Sequence, residues 1–194
     1  MKRLFILLAA LCCTAAQAEA QSWLDALKKV ATEAVDKATD GKLTEIAILG
    51  TWNYSAPAVR LSSDNTLAEL GGAALSSTVG DKMRSLVEKV GIKEGFCSIT
   101  FNNDNTFTMP VKGKSISGTY TYDAATHAVT LSIAKLGDVK GYAYVSGSAL
   151  QLVFSTEKFS SFIINLGSSI SALQSVTNLV KQYQDICLGF EFTK

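Results

Sequence analysis

Apolar and polar positions alternate from Phe96 onward in short bursts separated by turn residues. Residues 96–101, 106–112, 115–122, 128–134, 139–145 and 149–155 each carry the two-residue period of a half-buried strand. The alternation is clearest in Gly118, Thr119, Tyr120, Thr121 and Tyr122, and in Thr130, Leu131, Ser132 and Ile133. The connectors at 102–105, 113–114, 123–126, 135–138 and 146–148 are hairpin-sized and rich in Asn, Asp, Gly and Ser. Two further strands flank this block. Residues 50–61 carry Trp52 and Tyr54, and Pro57 marks a bend or an edge. Residues 185–193 alternate through Ile186, Leu188, Phe190 and Phe192.

Three stretches switch to helical spacing. Residues 22–42 place Trp23, Leu24, Leu27, Val30, Ala31, Ala34 and Ala38 on one face, with Ser22 as N-cap, Asp25 at N3 and Gly41 as C-cap. The mixed charges of its polar face predict a packed surface helix rather than a membrane-surface one. Residues 67–90 place Leu75, Val79, Met83, Leu86 and Val90 about four apart, with Gly71, Gly72 and Gly80 expected to break the helix into pieces. After Ser155 a long stripe runs through Phe159, Phe162, Ile163, Leu166, Ile170, Leu173, Val176 and Val180, with a kink expected at Gly167.

These elements predict a mainly β fold with helices (α+β): an eight-stranded antiparallel up-and-down barrel with an N-terminal helix and two helical insertions, about 65–94 and 157–183. Closure of a meander removes exposed edges. Odd strands run one way and even strands the other. The link from strand one to two therefore leaves by the same end as the link from strand seven to eight. Both insertions should cover one mouth, and the N-terminal helix should lie near the other.

The first residues are expected to be removed. Lys2 and Arg3 precede an apolar run from Leu4 to Ala16, too short to span a bilayer, and small-x-small cleavage sites end at Ala18 and Ala20. Residues 1–20 thus read as a signal peptide, with 21–194 as one domain exported to the periplasm or the extracellular space. Lipoprotein anchoring through Cys12 or Cys13 is disfavoured, because neither follows a small residue. The 18 basic and 17 acidic residues become equal once Lys2, Arg3 and Glu19 are lost. No basic run is dense enough to hold a nucleic acid, and no transmembrane segment is expected after the leader.

Gly50 and Trp52 form a Gly-x-Trp at the first strand of this barrel, behind a helix. That arrangement resembles the lipocalin and fatty-acid-binding superfamily. The resemblance implies that Trp52 is a structural plug across the closed end. The chain departs from lipocalins in its two helical insertions and in lacking a helix after the last strand before Lys194. It is similar over essentially the whole mature chain to the lipocalin-like secreted proteins of Bacteroides and relatives grouped as a domain of unknown function (DUF4923-like).

Catalytic chemistry finds little support. His127, the sole histidine, sits in a predicted turn and has no positioned partner. Asp104 and Asp123 read as turn formers, and residues 102–106 lack the Gly and distal Glu of a calcium loop. The protein is therefore expected to be no enzyme and to need no cofactor or metal. If Thr and Ser face water, Phe101, Phe107, Met109, Tyr120, Tyr122, Leu131, Leu152, Phe154 and Phe190 face inward as candidate ligand-binding residues. A wall lining a small hydrophobic ligand, with Tyr hydroxyls orienting one polar group, and a filled core are both open. A filled barrel would leave a protein-interaction module docking through its apolar helices. The faces of residues 139–145 are ambiguous, since Tyr142 and Tyr144 share parity with Lys140. Parity also puts Cys97 inward and Cys187 outward, about two strand spacings or ~9.5 Å apart, beyond the ~7 Å a disulfide tolerates. A bridge between them is disfavoured.

Overall fold

The computed structural model describes residues 47–61, 73–123, 125–134, 136–181 and 186–194. The leader expected at 1–20, the helix expected at 22–42 and the glycines at 71 and 72 lie outside them. Eight antiparallel strands close into a barrel in meander order. They are β1 (Gly50–Leu61), β2 (Ser98–Phe101), β3 (Thr106–Val111), β4 (Lys114–Asp123), β5 (Ala128–Ile133), β6 (Gly137–Ser146), β7 (Ala149–Ser155) and β8 (Ile186–Thr193). Among the described residues the helices are α1 (Ala73–Lys89), α2 (Thr156–Asn165) and α3 (Ile170–Val180). Strand bounds fall within two residues of the sequence expectation, because turn residues mark both ends of nearly every strand.

Register fixes the polarity. Gly50 pairs with Phe101, so the start of β1, the β2–β3 turn and the β8 terminus share one end, here the plug end. Leu61 pairs with Ile186, so α1 and the α2–α3 segment enter and leave at the other, the lid end. This is the placement that strand parity predicts.

The helices differ from expectation in two ways. Gly80 does not break α1, which runs through it without interruption. Gly167 breaks rather than kinks the last stripe: its φ of +102° ends α2, and α3 begins three residues later. A glycine inside a helix costs only about 1 kcal/mol, which the buried face of α1 outweighs, whereas a left-handed φ cannot continue a helix. The stripes otherwise hold, with Val79, Met83, Leu86, Val90, Phe159, Phe162, Ile163, Leu173, Val176 and Val180 all buried. Leu166 is only half-buried, and Ile170 is 66% exposed.

β1 carries one irregularity. Tyr54 pairs with Phe192 and Ala56 with Glu191, so Ser55 is an extra residue, a β-bulge, whose Oγ donates to Glu191 O at 3.0 Å. Before it the even positions Trp52 and Tyr54 face inward. After it Val59 packs on the inner core, while Ala58 joins Val153 and Cys187 in a separate outer cluster. Pro57 follows the bulge, in the half of β1 that pairs with β8 alone.

The ambiguity of β6 resolves in favour of Val139, Ala143 and Val145 inside. Tyr142 and Tyr144 stack on the outer face at 6.4 Å between centroids. There the Arg60 guanidinium lies 3.8 Å over the Tyr144 ring and donates to Gln151 Oε1. Gly141 keeps the β6 wall thin: a Cβ there would meet Phe154 Cδ1 at 2.5 Å.

Candidate functional site

The inner face of the barrel is the candidate site, and it divides into two aromatic groups. Near the plug end, Phe101 meets Tyr120 edge-on at 4.9 Å and Phe107 at 6.4 Å. Toward the lid, Phe154 and Phe190 meet side chains supplied by α2. Phe162 stacks on Phe154 at 6.2 Å and touches Phe190 at 6.0 Å, while Phe159 lies 5.7 Å from Phe190. Met109, Leu131 and Leu152 belong to the same continuous core. The candidate lining residues are thus brought together in one interior, but α2 presses its own rings onto the lid-end pair.

α2 is held for that contact by local chemistry. Ser155 ends β7 and caps the helix, its Oγ accepting from Lys158 N–H. The Thr156 hydroxyl donates to Ile186 O, tying the first turn to β8. Apolar residues at 159, 162 and 163 then fall on one face.

The tyrosines correct an expectation. Tyr120 Oη donates outward to Asn102 O at 3.2 Å, and Tyr122 Oη lies 3.1 Å from His127 Nδ1. Neither hydroxyl points into the interior. Tyr122 is only half-buried and, with Tyr120, Ile48, Leu49, Asn103 and Asn105, lines a cleft of about 190 Å³ on the outside of the plug end. The tyrosine that does face inward is Tyr54, which the candidate set omits. It is 3% exposed, its ring packs edge-on against Phe190 and Phe192, and its hydroxyl has no hydrogen-bond partner. The signal was available: Tyr54 stands two residues after Trp52 and so shares its face.

Burial pushes the Tyr54 hydroxyl up to about 12, with Arg84 opposing and Cys97, Glu88 and Glu94 adding to the rise. Burial likewise pushes the Cys97 thiol up to about 12. Cys97 lies in the inner core and Cys187 in the outer cluster, and no disulfide joins them. Asp104 accepts from the Thr106 hydroxyl and backbone N–H, which holds its carboxyl below the ordinary value; Asp123 does the same with Thr126 and Ala125. Both are turn formers. Among the described residues, no three His, Cys, Asp or Glu side chains gather as a metal site. Among them, too, no helix is long and apolar enough to cross a membrane.

The plug end is built around Trp52. Its Nε1 donates to Ile48 O at 2.7 Å, and the Lys194 ammonium sits 4.3 Å from the ring centroid. That ammonium also donates to Ala47 O and Leu49 O, binding the chain end to the segment that enters β1. Gly50 makes the entry with a φ of +102°.

Comparison with known proteins agrees with this architecture. No curated protein matches the chain. A crystal structure of a DUF4847 family protein from Bacteroides vulgatus ATCC 8482 is similar to it, at 14% identity and a TM-score of 0.39, over 78% of this chain and 96% of that one. The family model described as "Lipocalin-like domain (DUF4923)" matches residues 25–194. With a plugged, closed eight-stranded barrel beneath that match, the chain belongs to the DUF4923 lipocalin-like domain family.

Proposed function

We propose that the protein is an exported, non-enzymatic binder of a small hydrophobic molecule, held inside the barrel beneath α1 and α2. The observation that carries this reading is the character of the interior. One end is plugged by Trp52, the wall is apolar and aromatic, and the other end is covered by helices rather than by strand-to-strand turns. A helix resting on aromatic side chains can lift as a unit and expose the interior, as lids of binding sites do. Export is supported by the charged, apolar and small-residue pattern of residues 1–20. Among the described residues Ser146 is the sole buried residue of polar or charged character, tyrosines and cysteines aside, which favours a binder over a catalyst.

Organic extraction of the purified protein, paired with native mass spectrometry, tests the proposal. A co-purifying apolar molecule, or stoichiometric uptake of an added one, is the expected result. An interior that excludes every apolar ligand offered would sink it.

A second reading is favoured by Phe96, Ile164 and Ile170, which are 78%, 41% and 66% exposed on the lid-end segments. Exposed large apolar side chains suit a partner protein. In that case the barrel is a filled scaffold, and alanine at these three positions would abolish partner capture, while neither the variant nor the wild type takes up an apolar ligand.

A further inference from the structure

We propose that Tyr54 is the polar anchor of the interior, and that the molecule it takes is apolar with one neutral hydrogen-bond acceptor, such as a ketone or ester carbonyl. This rests on the reading of the barrel as a binding site and specifies the ligand class.

The inward-facing or plug-end aromatic donors near Tyr54 are satisfied by the protein. Trp52 Nε1 has Ile48 O and Tyr120 Oη has Asn102 O. Tyr54 Oη is buried with no partner. Burying a hydroxyl without a partner destabilises the fold, and phenylalanine would keep the same ring contacts without that cost. The ring is fixed edge-on to Phe190 and Phe192, so the hydroxyl cannot swing out to water without losing both contacts. The charges that act on it, Arg84, Glu88 and Glu94, belong to α1 and the loop after it. The hydroxyl therefore lies on the α1 side of the interior, under a covering helix. The adjacent bulge at Ser55 is a second pointer. Tyr54 is the last inward residue before the register shifts, and bulges of this kind re-aim a side chain at a site.

The chemistry of the acceptor follows from the surroundings. The hydroxyl keeps its proton far above neutral pH and so acts as a donor. Among the described residues every Lys and Arg is exposed except the half-buried Arg60, which lies on the outer face, so none of them faces the interior to balance a carboxylate. A charged head group would be desolvated against Phe190 and Phe192, whereas a carbonyl needs one donor only.

Methyl undecyl ketone and its isostere, with a methylene group in place of the carbonyl oxygen, are the probes. Their affinities for the wild type and Tyr54→Phe are measured by displacement of Nile red from the purified protein. The ketone should bind the wild type about tenfold more tightly than the isostere, as one net hydrogen bond gives. Tyr54→Phe should bring that ratio to about one and leave the isostere unchanged. As a readout independent of the variant, the carbonyl stretch of the wild-type complex should fall to the hydrogen-bonded frequency. Equal wild-type affinities, or an unshifted carbonyl stretch, overturn the Tyr54 assignment alone. Failure of dye, ketone and isostere all to bind overturns the binding-site reading beneath it.

Discussion

The Trp52 indole is clamped from two sides, by its own N–H on Ile48 O and by the Lys194 ammonium over its face. Truncation leaves a large void and an unpaired carbonyl, so Trp52→Ala should lower stability by about 3–5 kcal/mol; urea denaturation measures it. Gly50 and Trp52 were legible because a glycine and a large aromatic at a strand start are local signals. Lys194 was not, since its contact with Ala47 and Leu49 joins opposite ends of the domain. Tyr54 was half legible: parity gives its direction, but nothing in the sequence says its hydroxyl would find no partner. Cys97 yields a pH prediction. Its thiol titrates at about 12 when folded against 9.0 in a free chain. Between these values the unfolded chain gives up a proton that the folded chain keeps, so unfolding is favoured as pH rises. Stability should be flat below pH 9 and fall from there toward 12. Tyr54 adds to the fall only above its unperturbed value of 10.0. In Cys97→Ala the decline should start later, near 10, a shift visible in melting temperature against pH. An identical alkaline profile in the variant would rule out the thiol as its source.

At the level of elements, helices and strands read differently. Hairpin strands were legible because each is bounded by its own turn chemistry, and pairing with a sequence neighbour leaves little choice of register. Glycine inside a helical pattern was ambiguous, because composition does not reveal φ. Gly80 is tolerated and Gly167 is a terminator, and only the backbone distinguishes them. The weight carried by α2 also exceeds what its stripe suggests, since Phe162 bridges β7 and β8 through Phe154 and Phe190. Phe162→Ala should cost about 3–5 kcal/mol by chemical denaturation if the void stays empty. Below the unfolding transition, Nile red should reach the interior faster in this variant than in the wild type, which stopped-flow fluorescence would register. Unchanged entry kinetics would mean that α2 is not the gate.

For the whole molecule, closure is the dominant fact. Every strand has two partners, so no strand stands as a sheet edge along its whole length, although the second half of β1 pairs with β8 alone. Closure was legible from strand count and hairpin lengths alone, and strand parity placed both helical segments at one mouth. What parity could not foresee was its own reversal within β1. Counting from Trp52 would send Ala58 and Arg60 inward, whereas both lie outside. The cause is one residue. Ser55 acts on β1 as an inserted base acts on a reading frame: everything downstream is read on the other phase. Deleting Ser55 would close the bulge and leave the downstream pairing as it is, with Tyr54 opposite Phe192 and Ala56 opposite Glu191, so Val59 stays inside and Arg60 outside. A β1 that kept all its residues without the bulge would instead bury the Arg60 guanidinium unpaired, among the costliest errors a core can hold. The deletion should therefore still fold, losing little beyond the Ser55–Glu191 hydrogen bond, as circular dichroism and urea denaturation would report; an unfolded variant would mean that the bulge itself is required, and not the phase it sets. Frame, more than composition, is then what makes the second half of β1 a wall of this barrel.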